Sequence, residues 1–147
     1  NYRITDFQCA LGSSQLKKLN NFVKRRREIA KSYDSFFSDI ECISIPKVLG
    51  TVKHSYHLYP LKIDFEKLGL EKVDFFEKMS SEGISLQVHY IPIHLQPFYK
   101  KAFGFQSGDF PISEDFYRKE VSLPVYPNLS NEDQKLVINS IRKIINV

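Results

Sequence analysis

Apolar residues recur at helical spacing from Phe7 to Phe37, and that rhythm constrains the fold more than anything else in the 147 residues. Phe7, Ala10, Leu11, Leu16, Leu19, Phe22 and Val23 form a first run; Ile29, Ala30, Tyr33, Phe36 and Phe37 form a second. Thr5 followed three residues later by Gln8 fits a capping box, so the helix is predicted to start near Asp6. A break, if there is one, belongs at Asn20-Asn21. Gly12 lies in the first turns, where it weakens the helix; close packing against another backbone would be a reason for it.

The remaining elements are short. After a loop through Pro46 to Gly50, the residues His57-Leu58-Tyr59-Pro60-Leu61-Lys62-Ile63 read as a strand. Pro60 has no N–H to give a ladder, which confines that strand to an edge or a bulge. A helix is predicted over about 71–82, with Val73, Phe76 and Met79 on one face and Gly83 as its left-handed cap. Ile84-Ser85-Leu86-Gln87-Val88-His89 alternates and reads as a second strand, with Ile84, Leu86 and Val88 on its apolar side. Tyr90 to Gln96 is a loop. Pro97 and Pro111 open short helices, to Ala102 and to about Lys119, with a turn at Ser107 to Asp109 between them. Val121-Ser122-Leu123-Pro124 is a brief strand. Ser130 with Asp133 caps a last helix whose face is Leu136, Val137, Ile141, Ile144 and Ile145. This order predicts an α+β fold: a small antiparallel sheet covered by helices and preceded by a long helix. The expected division is a long helix and linker over 1–54 and a small α+β domain over 55–147, jointed at the loop 48–53.

The charge balance of +4 suits an anionic partner without requiring one. Its one dense run, Lys24-Arg25-Arg26-Arg27, reads as a solvated helix face or as a contact for phosphate or nucleic acid. Cys9 and Cys42 form neither a metal pattern nor a disulfide scaffold, so a reducing cytoplasm is the expected setting. No apolar run reaches membrane-spanning length. His54, His57, His89 and His94 lie on different elements without acidic or thiol partners at ligand spacing, so no metal site is expected. The chain opens at Asn1-Tyr2-Arg3 without an initiator Met and enters a capped helix at once, as a segment of a longer protein would.

Two places could carry chemistry. His89-Tyr90-Ile91-Pro92-Ile93-His94-Leu95-Gln96-Pro97 leaves the end of a strand, where polar groups can converge. The same residues also suit a plain cap on the sheet. Asn1-Tyr2-Arg3 offers an amide and a planar fork suited to phosphate or carboxylate, or else a frayed end. A basic α+β module could instead bind RNA, with Tyr59 and Tyr90 as stacking candidates, although no matching RNA-binding signature is present. A third reading is an assembly module that self-associates through Phe7, Leu11 and Phe22.

At these two clusters a resemblance becomes specific. Asn1-Tyr2-Arg3-Ile4-Thr5-Asp6-Phe7-Gln8-Cys9-Ala10-Leu11-Gly12, continued by Gln15-Leu16, resembles a hallmark segment of the DegT/DnrJ/EryC1/StrS sugar aminotransferases. Arg25-Arg26-Arg27 with Ala30 and Tyr33, then His57-Leu58-Tyr59-Pro60, Val88-His89-Tyr90-Ile91-Pro92, Gln96-Pro97 and Ser122-Leu123-Pro124, continue the match in order over nearly the whole chain. Within the family, the His-Tyr-x-Pro and Glu-x-Ser-Leu-Pro stretches look closest to the pseudaminic-acid branch.

The resemblance implies the C-terminal small domain of a fold-type-I aminotransferase that depends on pyridoxal 5'-phosphate (PLP). Its Schiff-base lysine and most of its cofactor site would precede Asn1, so no catalytic residue is assigned here and the chain alone should be inert. The implied substrates are a keto (4-keto-6-deoxy) sugar nucleotide and an amino donor, commonly glutamate, at the interface of a homodimer, with no nucleic acid or membrane involved. By the same likeness Asn1 reaches the cofactor phosphate of the neighbouring subunit. Arg3 serves structure or contacts an anionic nucleotide, and His89, Tyr90, His94 and Gln96 border the sugar-nucleotide pocket. Some relatives carry histidine in place of the lysine and dehydrate the sugar, and that branch stays open.

Overall fold

Ile29, Tyr33 and Phe37 stand about one turn apart, and with Ala30 they form the buried stripe of a helix that the rest of the chain covers. Burial of each large side chain contributes about 1.5–3 kcal/mol. The computed structural model describes residues 2–146.

Helix α1 (Asp6–Leu16) begins at the predicted box: the Gln8 amide donates to Thr5 Oγ1, and the Thr5 amide donates to Gln8 Oε1 at 2.9 Å. The break falls at Lys17-Lys18, ahead of the expected Asn20-Asn21, and α2 (Leu19–Phe37) follows. No residue of α1 is buried. A Cβ on Gly12 would meet nothing within 4 Å, so within this chain no close packing explains the glycine.

Three strands form one antiparallel sheet in the order β1 (Ile43–Ser44), β2 (Tyr59–Ile63), β3 (Glu120–Leu123). Pro60 therefore sits in the central strand, against the expectation of an edge. The register explains how. Pro60 faces Ser122, whose N–H and C=O are both turned the other way, bonded to Gln87. The pair makes no ladder bond, so the nitrogen of Pro60 faces the β1 side. There β1 reaches only Lys62 and Ile63. The second predicted strand contracts to the single bridge Gln87–Ser122, although Ile84 and Leu86 still point into the core.

After β2 come α3 (Phe65–Leu68) and α4 (Lys72–Ser81), then a 3-10 turn (Ile93–Leu95), α5 (Pro97–Phe103), α6 (Pro111–Lys119) and, beyond β3, α7 (Asn131–Ile144). The face of α4 is Phe75 and Met79, not Val73, which is exposed; one residue of phase separates the two readings. In α7 the buried stripe is Val137, Ile138 and Ile141, with Ile145 just beyond, while Leu136 faces solvent. Buried Gln134 donates to the Ile29 carbonyl at 2.8 Å and ties α7 to α2. Helices α2, α4 and α7 share one core with Tyr59, Leu61, Ile63, Val121 and Leu123 of the sheet. That core draws on residues from both sides of position 54.

The arginine run is only partly a solvated face: Lys24 and Arg27 are exposed, Arg25 and Arg26 half-buried, and all three arginines bond the chain's own backbone. Arg25 donates to the Leu129 carbonyl and Asn131 Oδ1. Arg26 donates to the Tyr56, His57 and Val125 carbonyls at 3.1, 3.2 and 2.7 Å. Arg27 donates to the His54 and Lys53 carbonyls. The triplet clasps two loops, 53–57 and 125–129, onto α2.

Candidate active-site rim

Strand alternation puts Glu120 and Ser122 on one face of β3, opposite the core-facing Val121 and Leu123. The bridge at Gln87 carries His89 to a place opposite Glu120. Three bonds result. Ser122 Oγ lies 2.5 Å from Glu120 Oε1, His89 Nδ1 lies 2.7 Å from Ser122 Oγ, and the His89 amide donates to Glu120 Oε2 at 3.0 Å. Glu120 is 0% exposed and His89 is half-buried. The His89–Tyr90 peptide is cis, and the two rings meet edge-on at 4.7 Å.

Beyond His89 the loop spreads over the surface. Tyr90 is 74% exposed and stands on the lip between two hollows. One, of about 470 Å³, is walled by Tyr90, Ile93, His94, Tyr99, Phe105 and Phe110. The other, of about 450 Å³, is walled by Val88, Tyr90, Gln96 and Tyr117 among others. Tyr90, His94 and Gln96 thus share one region of surface. Arg3, exposed ahead of α1, lines neither hollow. Asn1 lies outside the described residues.

His94 is buried, and its Nε2 sits 2.9 Å from Glu114 Oε1. The Glu114 carboxylate also accepts the Gly108 amide, the Ser107 hydroxyl and the Phe110 amide. Gly108 has φ +99°, a conformation that favours glycine and turns its N–H onto the carboxylate. The bond to His94, and after it the loop donors, draw the Glu114 carboxyl from 4.5 down to about 2. The acidic partner missing from the sequence reading of His94 lies twenty residues on, at a spacing no motif encodes.

Lys72 is half-buried. Its Nζ is committed to the Tyr117 carbonyl at 2.6 Å and sits over the Phe76 and Tyr117 rings. Burial lowers its pKa. These contacts make it a packing lysine, not one open to a coenzyme aldehyde. Among the described residues no group of three or more His, Cys, Asp or Glu side chains could hold a metal ion, and no helix is long and apolar enough to cross a membrane. Tyr59 is fully buried with its hydroxyl 2.6 Å from Asp34 Oδ1, so it has no face for a nucleobase.

The model of the DegT/DnrJ/EryC1/StrS aminotransferase family matches residues 1–142. The chain belongs to that family. It is 43% identical over 144 residues to the uncharacterized protein MJ1066 of Methanocaldococcus jannaschii, covering 98% of this chain and 37% of that one. It is 37% identical over 148 residues to a UDP-4-amino-4,6-dideoxy-N-acetyl-beta-L-altrosamine transaminase of Campylobacter jejuni, covering 99% and 38%. Among solved structures, Helicobacter pylori PseC, an aminotransferase of pseudaminic acid biosynthesis, superposes with a TM-score of 0.88 at 34% identity, covering 99% of this chain and 38% of that one. A Streptococcus pneumoniae protein described as a sugar aminotransferase, in its PLP form, gives 0.86 at 28% identity, covering 98% and 36%. The chain therefore spans under two fifths of the length of each of these relatives, and its α+β fold is that of their C-terminal domain.

Proposed function

We propose that this chain is the C-terminal part of a PLP-dependent aminotransferase that aminates a 4-keto-6-deoxy sugar nucleotide, with glutamate as the nitrogen donor. The observation that carries the reading is the near-complete superposition on PseC, from one end of this chain to the other, at a TM-score of 0.88. In this reading the PLP-binding lysine lies in a preceding large domain, and residues 1–54 connect that domain to the small domain 55–147. The bare apolar side chains of α1 support it: Phe7 is 89% exposed, and Leu11 and Leu16 are exposed beside it. A surface of that kind calls for a covering domain. The complete protein is a homodimer acting in the cytoplasm, and the 147 residues alone are inert.

The coenzyme, when bound, supplies the electron sink through which nitrogen passes from donor to sugar. This chain's own residues do the positioning. Asn1 donates its amide to the cofactor phosphate and Arg3 offers its guanidinium to the anionic nucleotide. Tyr90 and Gln96 supply a ring and an amide at the pocket rim. His94, pinned by Glu114, forms part of its wall, and His89, which lines neither hollow, stands behind the rim with its ring edge-on to Tyr90.

In the complete protein, Gln96→Ala and His89→Ala are each expected to raise KM for the sugar nucleotide about tenfold, the loss of one polar contact of about 1.4 kcal/mol. KM for glutamate should change less. Unchanged KM for the sugar nucleotide in both variants would place the pocket elsewhere.

A further inference from the structure

We propose that Glu120 and Ser122 are positioning residues that set which nitrogen of His89 carries its proton. The inference deepens the reading of His89 as a pocket residue and rests on that reading for its functional meaning, but its geometry stands on this chain alone. A serine hydroxyl has one proton to give. Ser122 Oγ donates to Glu120 Oε1, 2.5 Å away. The serine oxygen can then only accept from His89 Nδ1, 2.7 Å away. The neutral imidazole is thereby held with its proton on Nδ1. Its Nε2 makes no hydrogen bond with any described residue and is left as a lone-pair acceptor.

Glu120 fixes the residue twice over. Its Oε2 accepts the His89 backbone amide at 3.0 Å, so one carboxylate orients both the main chain and, through Ser122, the ring. Glu120 is wholly buried and attracts the Lys72 ammonium, which is itself tied to Tyr117. Full burial of a carboxylate is tolerated where every oxygen is bonded, as here. A neutral His89 with an accepting Nε2 suits a ligand hydroxyl, such as one on a sugar or ribose. The opposite tautomer would instead donate to that hydroxyl's oxygen, so the relay sets the direction of the bond.

Glu120→Gln tests the direction of the relay. The His89 amide needs an acceptor, so the amide oxygen of Gln must take the place of Oε2 and its NH2 must face Ser122. The serine hydroxyl then turns and donates to Nδ1, and the ring proton moves to Nε2. Long-range proton–nitrogen spectra of the 15N-labelled 147-residue chain, taken above the imidazole titration, read the tautomer directly. The His89 signals are assigned by their absence in His89→Asn. The relay predicts Nδ1–H in the parent chain, Nε2–H in Glu120→Gln, a mixed population in Ser122→Ala and recovery of Nδ1–H in Ser122→Thr. A parent His89 protonated on Nε2, or a tautomer unmoved by Ser122→Ala, would overturn it, and the serine variant decides the matter even where the buried Gln disturbs folding. None of these spectra needs a ligand. A negative result therefore counts against the relay, whereas a His89→Ala enzyme with unaltered KM for the sugar nucleotide counts against the pocket reading instead.

Discussion

Glu114 shows how much one side chain can organise without being visible in a motif. Its carboxylate holds His94 and the loop 107–110 together, and its pKa falls to about 2 because those donors favour the charged form. A carboxyl depressed on folding contributes stability above its unfolded value, here 4.5, and loses it as pH falls towards about 2. Glu114→Gln should therefore lower the urea midpoint near neutral pH, and the gap from the parent chain should narrow steadily between pH 4.5 and 2. Equal midpoints at neutral pH would show that the latch carries no stability. The residues of the Tyr90 loop were legible as candidates because Pro and His cluster there. Glu114 was not, since its partner lies twenty residues away, a separation no motif encodes. Glu120 stood in between: it belongs to the Glu-x-Ser-Leu-Pro stretch, and strand alternation alone places it beside Ser122.

At the level of elements, the sequence patterns located helices well wherever a cap or a proline marked the start, as at Thr5, Pro97, Pro111 and Ser130. They gave the small antiparallel sheet and two of its strands but misplaced the Pro60 strand within it. Pro60 lies in the central strand because its missing N–H faces a side where β1 has already ended, a fact of register and not of composition. The arginine run was only partly read, because charge on a helix face does not say what the face meets. Arg26 alone bonds three carbonyls of two loops. Arg26→Ala should cost about 2 kcal/mol by leaving part-buried carbonyls without their charged donor, read as a lower urea midpoint with unchanged m. Arg26→Lys should recover part of that loss, since one ammonium cannot span three acceptors in the guanidinium's geometry. A neutral effect in both variants would return the triplet to a solvated face.

For the molecule as a whole, the resemblance was legible because its motifs run in order through the chain, and the family match over residues 1–142 confirms it. Helix α1 has no buried residue, and Phe7, Leu11 and Leu16 on it are exposed. Its pattern promised a packed helix, and in the proposed reading the preceding large domain would cover it. The most direct test of the account is spectroscopic. The complete polypeptide containing this chain, loaded with PLP, is mixed with UDP-4-amino-4,6-dideoxy-N-acetyl-beta-L-altrosamine, and the coenzyme absorbance is followed beside that of the 147-residue chain treated identically. The account predicts conversion of PLP to its aminated form, pyridoxamine phosphate, in the complete polypeptide and no change with the chain alone. Conversion by the isolated chain, or a coenzyme in the complete polypeptide that stays as PLP with this and other amino-sugar nucleotides, would contradict it.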